Sequence, residues 1–124
     1  MPRVLIADDE ESMRQLVARA VAMDGHVTVT AEDGAEALEI LTREQGAFDL
    51  LLTDIQMPVM DGIALALAVA RDFPDLKILL MTGFADQRER ASALNAIVHD
   101  VVTKPFSVAD IRTAVADVLA ASKA

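Results

Sequence analysis

Leu50-Leu51-Leu52-Thr53-Asp54-Ile55-Gln56-Met57-Pro58-Val59-Met60-Asp61-Gly62 is the stretch that decides the fold. Its leucines form a continuous apolar run, which reads as a strand buried on both faces, since a half-exposed strand alternates. The run ends on a carboxylate, Asp54, and the chain then enters a loop punctuated by Pro58 and Asp61-Gly62. A second run, Val4-Leu5-Ile6-Ala7, ends in the same way on Asp8-Asp9-Glu10. If both are parallel strands of one sheet, their carboxylates meet at one edge. Clustered carboxylates repel one another. They are tolerated when a divalent cation sits between them, or when one of them is used chemically.

Working outward, apolar runs alternate with helical patterns. Residues 78–81 repeat the buried-strand composition, residues 97–98 and 101–102 form a broken run, and the β-branched stretch 27–30 reads as an edge strand. Met13, Leu16, Val17 and Ala20 follow helical spacing, and Asp24-Gly25 ends that segment. Asp33 to Glu36 has capping-box spacing before a helix carrying Leu38 and Leu41. A third helix follows Gly62 to about Arg71, a fourth is expected over about 85–95, and a fifth starts at Ser107 with capping spacing to Asp110. Parallel strands need crossovers of this length, and right-handed crossovers put helices on both faces of the sheet. The expected fold is a doubly wound α/β domain with a five-stranded parallel sheet, occupying residues 1–124 with no second domain.

Composition narrows the function. Eleven Lys and Arg stand against twenty Asp and Glu, a net charge of −9, and the basic residues are scattered; this argues against nucleic-acid binding through a basic face. No apolar stretch is long enough to cross a bilayer and none resembles a signal peptide, so no membrane role and a cytoplasmic location are expected. The absence of cysteine removes disulfides and thiolate metal sites, and neither His26 nor His99 has ligand spacing around it.

In an open α/β sheet, sites form outside the carboxyl ends of the strands. The first strand presents Asp8 and Asp9 there, the third Asp54, the fourth Thr82 before Gly83, and the fifth Lys104 before Pro105. Mg²⁺ prefers oxygen ligands and keeps several waters, so a few carboxylates and a carbonyl suffice. Asp9, Asp54 and the Gln56 backbone carbonyl are the expected direct ligands, with Asp8 acting mostly through water. Asp54 would then attack a phosphoryl group and form an acyl phosphate. The metal and Lys104 would stabilise charge on the transferred oxygens, and Thr82 would hydrogen-bond one of them. Each residue alone has a blander reading. The acids could complement a helix N-terminus, Thr82-Gly83 could be a strand-end turn, and Lys104-Pro105 a solvated residue before a loop. It is their joint occurrence at one edge that carries weight.

Asp8-Asp9, Asp54 with Met57-Pro58 and Asp61-Gly62, Thr82-Gly83 and Lys104-Pro105, in this order, resemble the motifs of a response-regulator receiver domain, the CheY-like module of two-component signalling. The resemblance covers essentially the whole chain. It implies the sheet order 2-1-3-4-5, Asp54 as phosphoacceptor, Asp8 and Asp9 as the metal pocket, Thr82 as switch hydroxyl and Lys104 as phosphate contact. It also implies a histidine kinase or histidine phosphotransferase as donor, and a domain that catalyses only its own phosphoryl transfer and slow dephosphorylation. With no effector domain expected, output would be protein–protein contact by a monomer or weak dimer. The family's usual surface would here include Arg88, Arg90, Ala91, Asn95, His99, Arg112 and Asp117. A narrower likeness, to CpdR-type stand-alone receivers, rests on 51–55, 60–63 and 81–85 and implies a protease adaptor complex as target; it does not persist through 86–96. A phosphorelay shuttle or a motor or kinase regulator stays open.

Three features depart from the family pattern. Val101 stands where an aromatic usually lies three residues before the lysine, which implies a weaker or rewired switch. Phe84 stands near the expected phosphate, where many relatives are polar. Residues 63–70 carry no polar side chain, so part of the third helix should expose an apolar patch. Among rivals, an aspartyl-phosphate phosphatase would want an acid at 56, where Gln stands, and a flavin carrier would want a hydroxyl-rich loop after Ala7, where acids stand. A degenerate receiver that binds partners without phosphorylation is the alternative kept because of Val101.

Overall fold

The computed structural model describes residues 1–83, 89 and 94–121. Its strands are β1 (Arg3–Ala7), β2 (Val27–Ala31), β3 (Leu50–Asp54), β4 (Lys77–Thr82) and β5 (Asp100–Thr103). Its helices are α1 (Glu11–Ala22), α2 (Gly34–Arg43), α3 (Gly62–Asp72) and α4 (Val108–Ala120). The helix expected over about 85–95 falls on residues outside the described set for most of its length, so α4 is the helix that the sequence places fifth. Every strand pairing is parallel and the sheet order is β2-β1-β3-β4-β5, as expected.

The continuous apolar runs are explained by burial on both faces. Val4, Ile6, Leu50, Leu52, Leu79 and Met81 pack against Val17 and Val21 of α1 and Ile111, Val115 and Val118 of α4. The intervening Leu5, Leu51, Ile78 and Leu80 pack against Leu41 of α2 and Leu65 and Val69 of α3 on the other face. Each such side chain contributes roughly 1.5–3 kcal/mol on leaving water. All five residues of β3 are buried, Asp54 included, which makes it the most enclosed strand. The broken run near the end resolves differently from its sequence reading. β5 is Asp100–Thr103, whereas Ile97 precedes it in a turn and Val98 anchors that turn in the core.

Helix starts follow local chemistry. Asp33 and Asp61 each accept the backbone N–H three residues on, from Glu36 and Ala64, at 2.8 Å. Ser107 and Asp110 form a complete capping box, with both reciprocal bonds made. In α2 the box is only half made, because the Glu36 carboxylate accepts from Glu32 N–H. Such caps are worth about 1 kcal/mol each. α4 has no basic residue in its last turn. Lys77 at the start of β4 takes that place, its ammonium donating to the Val118, Leu119 and Ala121 carbonyls.

The outer side of α3 is apolar, as its composition implies. Ala64 and Leu67 are exposed, Leu67 by 52%, while Ala68 is only half-buried.

Candidate functional site: an acidic pocket at the carboxyl edge of the sheet

β1 and β3 lie side by side with Ala7 opposite Thr53, so Asp8 and Asp54 leave the sheet at the same level. Carboxylate oxygens of Asp8, Asp9 and Asp54 lie within 4.8 Å of one another. Asp8 and Asp54 are buried and Asp9 is exposed. A cavity of about 590 Å³ opens over this cluster, and Asp9, Asp54, Gln56 and Lys104 all line it.

Asp54 is firmly placed. Its Oδ1 accepts from its neighbour's N–H, on Ile55, at 2.9 Å and lies 3.3 Å from the Lys104 ammonium. Its main chain is held as well. A Cβ on Gly62 would lie 2.1 Å from the Asp54 carbonyl oxygen, so only glycine fits there, and Gly62 N–H donates to the Ile55 carbonyl at 2.7 Å. Gly34 plays the same part for Met60, where a Cβ would meet the carbonyl at 2.4 Å. The loop after Asp54 is thus clamped by two glycines, one opening each of α3 and α2.

The electrostatics follow from burial. Asp8 is pushed up from 3.8 to about 6, chiefly by burial, with the Asp54 and Asp9 charges adding and the Glu10 N–H and Lys104 opposing. Burial likewise raises Asp54 above the usual carboxylate range, against the pull of Lys104 and the Ile55 N–H. Among the described residues, Asp8 Oδ2 and Thr82 Oγ1 are buried with no hydrogen-bond partner. Such an atom costs about 1–3 kcal/mol. An acceptor-only oxygen pressed among two further carboxylates fits a hard divalent cation, and the unbonded hydroxyl at the end of β4, next to β3, fits an incoming anion.

Thr82 ends β4, fully buried, and its carbonyl accepts the Lys104 N–H at 2.7 Å. That bond carries the β4–β5 pairing one residue beyond Thr82 and Thr103 and brings Lys104 over the pocket. All the sequence-chosen residues therefore gather at one edge; Asp8 and Thr82 sit behind the cavity wall rather than on it. Glu10, Met13, Gly83 and Pro105 also line the cavity. Glu10 was missed because an acid at a helix start looks solvated in sequence, and Met13 because its helical spacing with Leu16, Val17 and Ala20 reads as core. The acids before α1 do not cap it: Glu10 makes no side-chain cap, and Asp8 bonds the Glu10 N–H at 2.9 Å instead.

Val101 lies in β5 opposite Leu80, half-buried against the α2–α3 side of the core. Phe84, Arg88, Arg90 and Ala91 lie outside the described residues. His99 joins the sheet edge, its Nδ1 accepting the Ile78 N–H at 3.1 Å; burial and the Lys77 charge lower its pKa. Among the described residues no helix is long and apolar enough to cross a membrane.

Comparison with known proteins agrees with this geometry. Residues 4–116 match the family model described as the response regulator receiver domain. The response regulator receiver protein CpdR of Brucella abortus is 41% identical over 116 residues, spanning 90% of this chain and 91% of that protein. The probable transcriptional regulator ycf27 of Guillardia theta is 35% identical over 94% of this chain, which spans only 45% of that longer protein. Among solved structures, the response regulator TrrA of Thermotoga maritima in complex with Mg²⁺-BeF has a TM-score of 0.83 and 30% identity, covering 95% of this chain and 99% of its own. With the fold, the strand order and the acidic edge in agreement, the chain belongs to the response regulator receiver domain family of two-component systems.

Proposed function

We propose that this domain is a phosphorylation switch in which Asp54 accepts a phosphoryl group from a histidine kinase or histidine phosphotransferase. A carboxylate oxygen of Asp54 attacks phosphorus, the P–N bond to the donor imidazole breaks, and the imidazole recovers a proton from solvent. Water later attacks the same phosphorus, releasing phosphate and restoring the carboxylate. Asp9, Asp54 and the Gln56 carbonyl would hold Mg²⁺, with Asp8 behind them through water. When bound, the ion offsets charge on the transferred oxygens and on the crowded carboxylates. The observation that carries the reading is the Lys104 ammonium 3.3 Å from Asp54 Oδ1, at the mouth of a three-carboxylate cluster.

The added group brings about −1.5 to −2 charge, as for hydroxyl phosphates. Lys104 would shift from Asp54 to the phosphoryl oxygens, and the unbonded Thr82 hydroxyl would find an acceptor. Because Lys104 N–H is tied to the Thr82 carbonyl, the two would move together. Val101 offers no aromatic ring to report that motion, so the signal would pass through the loops after β4 and β5. Receiver domains are in general signalling modules rather than enzymes, and output here would be contact with a protein target. The 41% identity to CpdR supports an output of this kind, and the CpdR-type likeness of residues 51–55, 60–63 and 81–85 would make a protease adaptor complex one such target.

Intact-mass measurement after incubation with a small-molecule phosphodonor tests this. Wild type should gain one phosphoryl adduct only with Mg²⁺ present, and Asp54→Ala should gain none. An adduct that persists in Asp54→Ala would move the acceptor elsewhere. Absence of any adduct in wild type would favour the phosphorylation-independent adaptor.

A further inference from the structure

Arg14 is the second cation next to the acidic loop, and it is no surface residue. It lies in the first turns of α1, with its side chain only 14% exposed. Its Nη1 donates to the backbone carbonyl of Asp8 at 2.9 Å, and its Nη2 lies 4.0 Å from the exposed Glu32 carboxylate just after β2. On its other side, Asp8 donates its own N–H to the Ala31 carbonyl at 3.2 Å. The main chain of Asp8 is thus gripped at both its N–H and its carbonyl.

The guanidinium does not neutralise the carboxylate beside it. Its bond goes to the carbonyl, while Asp8 Oδ2 stays buried without a partner among the described residues. That carbonyl belongs to the peptide joining Asp8 to Asp9. A peptide is planar, so fixing its oxygen also fixes its N–H and the Asp9 Cα, the point from which the Asp9 side chain leaves. Successive residues of an extended chain point to opposite sides. Bringing two neighbouring carboxylates within 4.8 Å of Asp54 therefore requires this peptide to be held in one orientation.

Resting on the Mg²⁺ reading given above, we propose that Arg14 is a positioning residue for the cation site: it sets the Asp8–Asp9 peptide so that both carboxylates face one ion. Removing Arg14 has two effects of opposite sign. Losing a positive charge leaves the pocket more negative, which strengthens cation binding. Freeing the peptide misplaces Asp9, which weakens it; loss of a group supporting the ligands typically costs about 10–100-fold in affinity. Mg²⁺ demands near-octahedral geometry and Ca²⁺ tolerates irregular sites, so misplacement falls hardest on Mg²⁺.

The test is titration calorimetry of Mg²⁺ and Ca²⁺ on wild type, Arg14→Met, Arg14→Lys and Glu32→Gln, each checked for folding by circular dichroism. Arg14→Met should bind Mg²⁺ at least about tenfold more weakly, with a smaller loss for Ca²⁺. Glu32→Gln, which leaves the bond to Asp8 intact, should stay within about twofold of wild type. Arg14→Lys keeps the charge and one donor but lacks the planar fork, and should fall between, with a lowered preference for Mg²⁺ over Ca²⁺. Equal or tighter Mg²⁺ binding by Arg14→Met would overturn the inference. Should that variant not fold, an unchanged Mg²⁺-to-Ca²⁺ preference in Arg14→Lys would overturn it instead. Failure of wild type to bind Mg²⁺ would overturn the reading of the pocket itself, and the role of Arg14 with it.

Discussion

Asp8 is held against its own ionisation. Its carboxyl is raised from 3.8 to about 6, first by burial, so in cation-free buffer the folded state penalises the charge that the unfolded chain carries freely. Well below 3.8 both states are protonated and nothing is lost. As pH rises through the window from 4 to 6 the unfolded chain ionises first, and stability falls by up to roughly 3 kcal/mol. Asp8→Asn should therefore stabilise the metal-free protein at pH 7.5 by about 1–3 kcal/mol, with the gain fading toward pH 4. Urea denaturation at both pH values checks this, and a pH-independent difference would contradict it. Asp8, Asp9, Asp54, Thr82 and Lys104 were legible in sequence because each closes or follows an apolar run, and strand ends of a parallel sheet share an edge. Arg14 was not. Its partner is a main-chain oxygen, and no residue pattern records that.

At the scale of elements, the loop between β3 and α3 is tight and strained. Met60 N–H donates to the Pro58 carbonyl at 2.7 Å, which makes Val59 the centre of a three-residue turn at φ +68°. A β-branched side chain in that left-handed region is strained, and here it is 86% exposed, so packing returns nothing. Val59→Gly should stabilise the fold by about 0.5–1.5 kcal/mol in chemical denaturation, the strain relieved exceeding the extra freedom glycine gains when unfolded. A destabilised variant would show that the turn is not under strain. Capping spacing made the starts of α2 and α4 readable to within a residue, and the Asp61-Gly62 turn marked that of α3. β5 was read too early, because Ile97 and Val98 are as apolar as a strand yet serve as the hydrophobic anchor of the turn before it.

For the whole molecule, alternation of buried strands and helices announced a doubly wound sheet. The strand order came from the family resemblance, since periodicity says which residues are buried but not which strands are neighbours. The same sequence carries a net charge of −9. Ion pairs such as Arg3–Glu44 and Arg112–Asp24, both at 2.7 Å, are weakened by salt, whereas general self-repulsion is relieved by it. With exposed pairs worth only about 0–1 kcal/mol each, repulsion should dominate. The melting temperature should rise by a few degrees when monovalent salt increases from about 10 mM to about 300 mM, with no divalent ion present. A fall would mean that the surface pairs outweigh the excess of acid.

The contact between Gly62 and the Asp54 carbonyl separates two histories that one position alone would confuse. A descendant of this chain that gave up phosphoryl chemistry would be free to lose the carboxylate at 54. It would not be free to lose the glycine, because what excludes a side chain at 62 is the main chain of residue 54, which every substitution there retains. Residue 54 thus records whether the chemistry is still in use, and residue 62 records only that the turn still closes.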